Sequence, residues 1–150
     1  PKHKIRGGIY MRAEFTDNLI TGNDMIDSQH RELIDKINQL LKSIETSKEK
    51  ITAVKMLNYL SDYVDYHFSA EEKLQEEIQY PGIEEHKKQH VILKNTVEDL
   101  FHMLEEEEGP SPAFVEQLNN KVIEWLYTHI QGFDRSVAEY RFITDNPNRL

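Results

Sequence analysis

Two histidines four residues apart, His86 and His90 in the stretch EEHKKQH, lie about 40° apart on one face of a helix. The residues in step with them are Leu93, Val97, Leu100 and Leu104. Both rings therefore sit on the face that the helix buries. A buried imidazole either bonds to a backbone carbonyl in the core or binds a metal ion.

The same interruption recurs in three other apolar seams. A first helix, capped by Asn23 or Asp24 with Asp27 in its first turn, buries Ile26, Leu33, Ile37, Leu40 and Ile44, and the missing step is His30. A second, over about 50–78, carries Leu57, Leu60, Val64, Leu74 and Ile78, with His67 and Glu71 in the gaps. Tyr80-Pro81-Gly82 marks a turn; the third helix then runs over about 83–107. Gly109-Pro110-Ser111-Pro112 ends it and starts a fourth, capped by Ser111. That helix aligns Val115, Leu118, Val122 and Trp125, and its next step is His129. The acidic run Glu105–Glu108 reads as a solvated helix end, unfavourably placed for the helix dipole.

Four helices with short links predict an all-α fold, an antiparallel up-down-up-down four-helix bundle. Its expected extent is 23–140. Residues 1–22 read as an extended arm whose Ile9, Tyr10, Phe15, Leu19 and Ile20 pack along the bundle, and 141–150 as a tail. In this topology His30, His67, Glu71, His86, His90 and His129 all fall at one end, in one layer of the core. Unpaired, each would cost about 1–3 kcal/mol. A metal replaces their lost hydration. The other two of the seven histidines, His3 and His102, lie off the seams.

Composition narrows the chemistry. There is no cysteine, which excludes disulfides, iron–sulfur clusters, thiolate zinc and c-type haem. A net charge of −9 argues against nucleic acid or an anionic membrane as partner. No apolar run reaches the length of a membrane span, and no signal-peptide pattern opens the chain, so a cytoplasmic protein is expected. Pro1 is not a natural start and predicts a processed or cut N-terminus. Imidazole and carboxylate ligands suit iron, with zinc, manganese or cobalt as further candidates. Six ligands on four helices are too many for one ion. The Glu-x-x-His pairs of ferritin-like di-iron bundles are absent, as is the His-Glu-x-x-His zinc motif.

The set His30, His67-x-x-x-Glu71, His86-x-x-x-His90 and His129-x-x-x-x-Asp134 resembles hemerythrin and its bacterial relatives, as does GNDMIDSQHREL in the first helix. The resemblance covers about 15–140. It implies two iron ions in an oxo- or hydroxo-bridged centre. His86, His90 and His129 would bind one iron and His30 and His67 the other, with Glu71 and Asp134 bridging. Only the resemblance points to Asp134. It lies about 140° round an ideal helix from His129, so the helix must loosen there, with Gly132 as the expected reason. The resemblance also implies an oxygen pocket lined by Leu33, Phe68, Trp125, Leu126 and Ile130. Bacterial relatives often have Trp near Phe15, and nothing is carried over to that position.

Five imidazoles, two bridging carboxylates and the bridging oxygen fill eleven of the twelve positions of two octahedral ions. The open one falls on the iron of His30 and His67, where dioxygen would bind reversibly. Fewer carboxylates than in the ferritin-like oxidases, and a dry pocket, favour binding over oxidation. The expected role is an oxygen carrier or store, not an enzyme, and a monomer. The alternative is an oxygen or redox sensor with a signalling or electron-transfer partner. Peroxide or nitric oxide reduction ranks third, because no proton relay or cysteine is evident.

Overall fold

The computed structural model describes residues 2–5 and 8–149, and their side chains over 12–148. Strands β1 (Lys2–Ile5) and β2 (Gly8–Met11) pair antiparallel, Lys2 opposite Met11. The arm thus begins as a hairpin before running extended to a short 3-10 turn, Asp17–Leu19. Four helical rods follow: α1 (Asp24–Thr46), α2 (Lys50–Glu77), α3 (Ile83–Glu106) and a fourth over 112–145. The last consists of α4 (Pro112–Leu118), α5 (Glu124–His129) and α6 (Arg135–Asp145), joined by π-helical turns at Asn119–Ile123 and Ile130–Asp134. α1 packs on α2, α2 on α3 and α3 on α4, the neighbour order of an antiparallel bundle. Among the described residues, no helix is long and apolar enough to cross a membrane.

Local chemistry sets the helix ends. Asn23 caps α1, its Oδ1 accepting from Ile26 N–H at 3.0 Å. The preceding loop folds onto Asp27. Its carboxylate accepts from Thr21 N–H at 2.9 Å, Thr21 Oγ–H at 2.7 Å and Gly22 N–H at 3.1 Å. Gly22 turns the chain with φ +94°, a conformation that favours glycine. Ser111 caps α4 by accepting from Phe114 N–H at 3.1 Å, with Pro112 in the first turn. At the acidic end of α3, Lys50 Nζ donates to Glu105 O at 3.0 Å and offsets the unfavourable charge.

α2 ends in a Schellman motif: Tyr80 N–H donates to Gln75 O at 2.8 Å and Gln79 N–H to Glu76 O at 3.2 Å. Gln79 occupies the left-handed position, φ +54°, that glycine usually takes. Tyr80 then packs with Leu74. This turn carries the chain from Glu71 to His86.

The apolar interior is in two parts. The larger fills the bundle from Leu33 to Ile44, Ala53 to Phe68, Leu93 to Leu104 and Phe114 to Ile130. The smaller joins Ile26, Leu74, Val137 and Ala138, with Met25, Ile78 and Tyr80 against them. On α1 His30 lies between the two parts, as do Glu71 on α2 and Asp134 on the fourth rod.

Two expectations need correction. Ile20 does not pack along the bundle but is 43% exposed, whereas Leu19 is buried and Phe15 half-buried. Ile9 and Tyr10 lie outside the described side chains. On the fourth rod Val115 and Trp125 are only half-buried, and Phe114, Leu118, Val122, Ile123, Leu126 and Ile130 form the inner face. The π turn at Asn119–Ile123 adds a residue to the helix and rotates the seam.

Candidate metal centre

His30, His67, Glu71, His86, His90, His129 and Asp134 are all brought together, none more than 3% exposed. They form two groups. Glu71, His86, His90, His129 and Asp134 make one, and His30, His67, Glu71 and Asp134 the other; within each, donor atoms lie within 4.8 Å of one another. Both carboxylates belong to both groups, as bridging ligands must. His102 lies apart, exposed beside Glu105, and the side chain of His3 lies outside those described.

The spacing of the donor atoms fits a cation better than protons. His86 Nε2 lies 2.9 Å from Asp134 Oδ1, 3.2 Å from Glu71 Oε1 and 3.0 Å from His129 Nε2. One N–H cannot serve three partners. Neighbouring ligands at about 2.1 Å from one octahedral ion are about 3.0 Å apart. His90 Nε2 is 3.2 Å from the same Glu71 oxygen, and His129 Nε2 is 3.1 Å from the same Asp134 oxygen. In the second group His30 Nε2 approaches the other oxygen, Asp134 Oδ2, at 2.8 Å. Both oxygens of each carboxylate are buried, and the imidazole nitrogens near them do not all meet them at good hydrogen-bond angles. Buried carboxylates so placed are costly unless an ion satisfies them.

The electrostatics point the same way. Burial pushes the His67 imidazole down to about 4. Burial also disfavours a charged His86, but hydrogen bonds to Asp134 and Glu71 raise it to about 9. Burial and the neighbouring Asp134 push the Glu71 carboxyl up, yet hydrogen bonds from His86 and His90 leave it lowered. Burial likewise opposes ionised Asp134; the charge of His129 and bonds from His129, His30 and His86 prevail and hold it well below the usual carboxylate range. Both carboxylates thus favour their ionised form, the form in which they would bind a cation.

Sequence reasoning missed the residues behind the ligands. His67 Nδ1–H donates to Gln29 Oε1 at 2.8 Å, and His90 Nδ1–H to Glu72 Oε2 at 2.7 Å. Gln75 Nε2 lies 2.9 Å from His86 Nδ1, and a half-turn of the amide would present its oxygen to a ring N–H instead. In His67 and His90 these bonds place the ring proton on Nδ1 and leave Nε2 free for an ion. The signal was present: Gln29 and Glu72 adjoin ligands in sequence, and Gln75 is one turn beyond Glu71.

Asp134 reaches the cluster because Ile130–Asp134 is a π turn. An i→i+5 repeat returns residue i+5 over residue i, which recovers the misfit of an ideal α-helix. Gly132 is not required sterically: an added Cβ meets nothing within 4 Å.

Leu33, Phe68, Leu126 and Ile130 are buried in the larger apolar part, and Trp125 is half-buried against it. Phe68 stacks on His90, ring centres 3.7 Å apart, and Trp125 on His129 at 4.3 Å. Phe133, which the sequence did not single out, lies parallel to His129 at 5.3 Å. These aromatic rings lie against the three-histidine group.

Comparison with known proteins agrees. Residues 21–140 match the hemerythrin HHE cation-binding domain. A bacteriohemerythrin of Stenotrophomonas maltophilia is 33% identical, over 82% of this chain and 77% of that protein. One from Pseudomonas paraeruginosa is 30% identical over the same shares, and one from Aquifex aeolicus 25% over 79% and 88%. A solved crystal structure of a mutant protein superposes with a TM-score of 0.71 at 23% identity, covering 84% of this chain and 94% of that one; at that identity it supports the fold alone. The cofactor of the matched domain is a di-iron centre, for which the two donor groups with shared carboxylates are suited. Sequence and geometry converge, and the chain belongs to the hemerythrin family.

Proposed function

We propose that this protein binds dioxygen reversibly at its di-iron centre, as a carrier or store and not as an enzyme. One observation carries the reading: the groups share two carboxylates but divide the imidazoles unevenly, three to two. His86, His90 and His129 would hold one ion and His30 and His67 the other. Glu71 and Asp134 would bridge them. The two-histidine side would be one donor short, and a small ligand would take that position.

When bound, the iron pair supplies two electrons and a place for a diatomic ligand. The chain does the rest. Gln29 and Glu72 fix the tautomers of His67 and His90, and Gln75 orients the ring of His86. Buried Leu33, Leu126 and Ile130 exclude water from the layer, and dryness favours release of intact oxygen over its protonation. Oxygen uptake by the ferrous protein tests the reading. One molecule taken up per two irons, and recovered under vacuum, is expected; consumption without recovery contradicts it.

The arm supports a second role, oxygen or redox sensing. Arg135, next to Asp134, donates to the carbonyls of Asn18 and Ile20, and the arm's 3-10 turn touches the π turn that carries Asp134. A shift of Asp134 would reach the arm directly. Equal protease sensitivity of residues 12–22 in the ferrous and ferric proteins would exclude it.

A further inference from the structure

We propose that Glu72 is a positioning residue that loads negative charge onto His90 and so favours the ferric level of the ion His90 holds. The inference rests on the di-iron reading above.

α2 presents two ridges side by side. His67, Glu71 and Gln75, spaced four apart, supply two ligands and the partner of His86. One residue further round, Phe68 and Glu72 are also four apart, and both hold His90. Phe68 lies flat on the ring, 5° from parallel. Glu72 Oε2 accepts from Nδ1–H at 2.7 Å, the length of a charge-assisted bond. Ring plane and proton position of His90 are thus both set from one helix.

Glu72 differs from the partners of the other ligands. His67 and His86 face neutral amides, those of Gln29 and Gln75. His30 Nδ1 and His129 Nδ1 have no hydrogen-bond partner among the described residues. Among the described residues, therefore, His90 alone of the five histidine ligands has a carboxylate hydrogen-bonded to its Nδ1. A carboxylate pulls the Nδ1 proton away from the ring and makes Nε2 a stronger donor; a neutral amide does so weakly. The extra electron density stabilises the more highly charged ion. His90 is 2% exposed, but the Glu72 side chain is 29% exposed, so the carboxylate keeps part of its hydration while its charge acts on a buried ring. The three-histidine side is thereby richer in donor strength as well as in donor number.

The test is a redox titration of the iron-loaded protein with a low-potential reductant, beside iron retention against a chelator. Glu72→Gln keeps an oxygen acceptor for Nδ1–H and removes the charge. It is expected to retain both irons and to lower the ferric-over-ferrous preference about tenfold, an upward shift of about 59 mV for a one-electron couple. Glu72→Asp, which keeps the charge, is expected to stay nearer the wild-type potential than Glu72→Gln. Equal potentials for wild type and Glu72→Gln, both carrying two irons, would overturn this inference and leave the di-iron reading intact. A wild-type chain that takes up no iron would overturn both.

Discussion

His86 and His129, on the third and fourth helical rods, point their Nε2 atoms at each other across 3.0 Å in the buried core. Without an ion, one of the two Nε2 atoms must carry a proton to avoid lone pair facing lone pair. A cation between them turns the same approach into coordination. Asp134 Oδ1 lies within 3.1 Å of both nitrogens, which completes one corner of the proposed site.

The sharing of ligands predicts a hierarchy of metal loss. His30→Ala or His67→Ala should remove the ion of the two-histidine group and leave about one iron per chain. Glu71→Ala or Asp134→Ala should reduce binding of both, because each carboxylate serves both groups. His102→Ala, in an exposed side chain, should change nothing. Elemental analysis decides. Complete retention in the Asp134 variant, or loss of iron in the His102 variant, contradicts the assignment.

The Schellman turn offers a separate test of the fold. Gln79 is held at φ +54°, which costs a side-chain-bearing residue about 1–2 kcal/mol. Gln79→Gly removes that strain but adds about 0.5–1 kcal/mol of chain entropy on unfolding. The net expectation is a gain of about 0.5–1 kcal/mol, read as a higher urea midpoint at unchanged slope. A lower midpoint would mean that the glutamine side chain contributes more than its backbone costs.

Most of this architecture was legible from periodicity. On α1, Ile26, His30, Leu33, Ile37, Leu40 and Ile44 are all buried as their spacing requires, because an α-helix converts a repeat of three and four into one face. The fourth rod was harder. A single period cannot describe a helix with two π turns, so Trp125 was placed on the seam while Ile123 was overlooked; Phe114, ahead of both turns, was passed over for its neighbour Val115. Asp134 had the same cause and came only through family resemblance. Gln29, Glu72 and Gln75 escaped because a polar residue beside a ligand looks like any solvated helix position. Only the pairing of α2 with α1 and α3 shows which of them meets a ring.

Metal should tie the ligand end of the bundle together. Hydrogen exchange of apo and iron-loaded protein should differ most over 26–34, 64–75, 83–91 and 126–135, where the buried ligands lose their common ion. Uniform protection across those segments in both forms would show that packing alone holds that end.

Leu126 is 1% exposed on α5, one turn before Ile130. Leu126→Ala should cost about 2–5 kcal/mol and open a space near the size a water needs. Water there would supply the proton that a dry wall withholds. The oxygen-loaded mutant is expected to oxidise irreversibly faster than wild type, at similar iron content. Decay of the oxygen-dependent absorption in air, at equal iron loading, measures it. An equal or slower decay would remove Leu126 from the wall of the oxygen site.

Reversible oxygen binding is the central claim, and the visible spectrum of the ferrous protein through a cycle of argon, air and argon tests it most directly. The expected result is an absorption that appears in air, is lost when argon returns, and reappears on a second exposure with little loss of amplitude. A spectrum that does not respond to air, or one that changes once and never reverts, would contradict the assignment of this chain as an oxygen carrier or store.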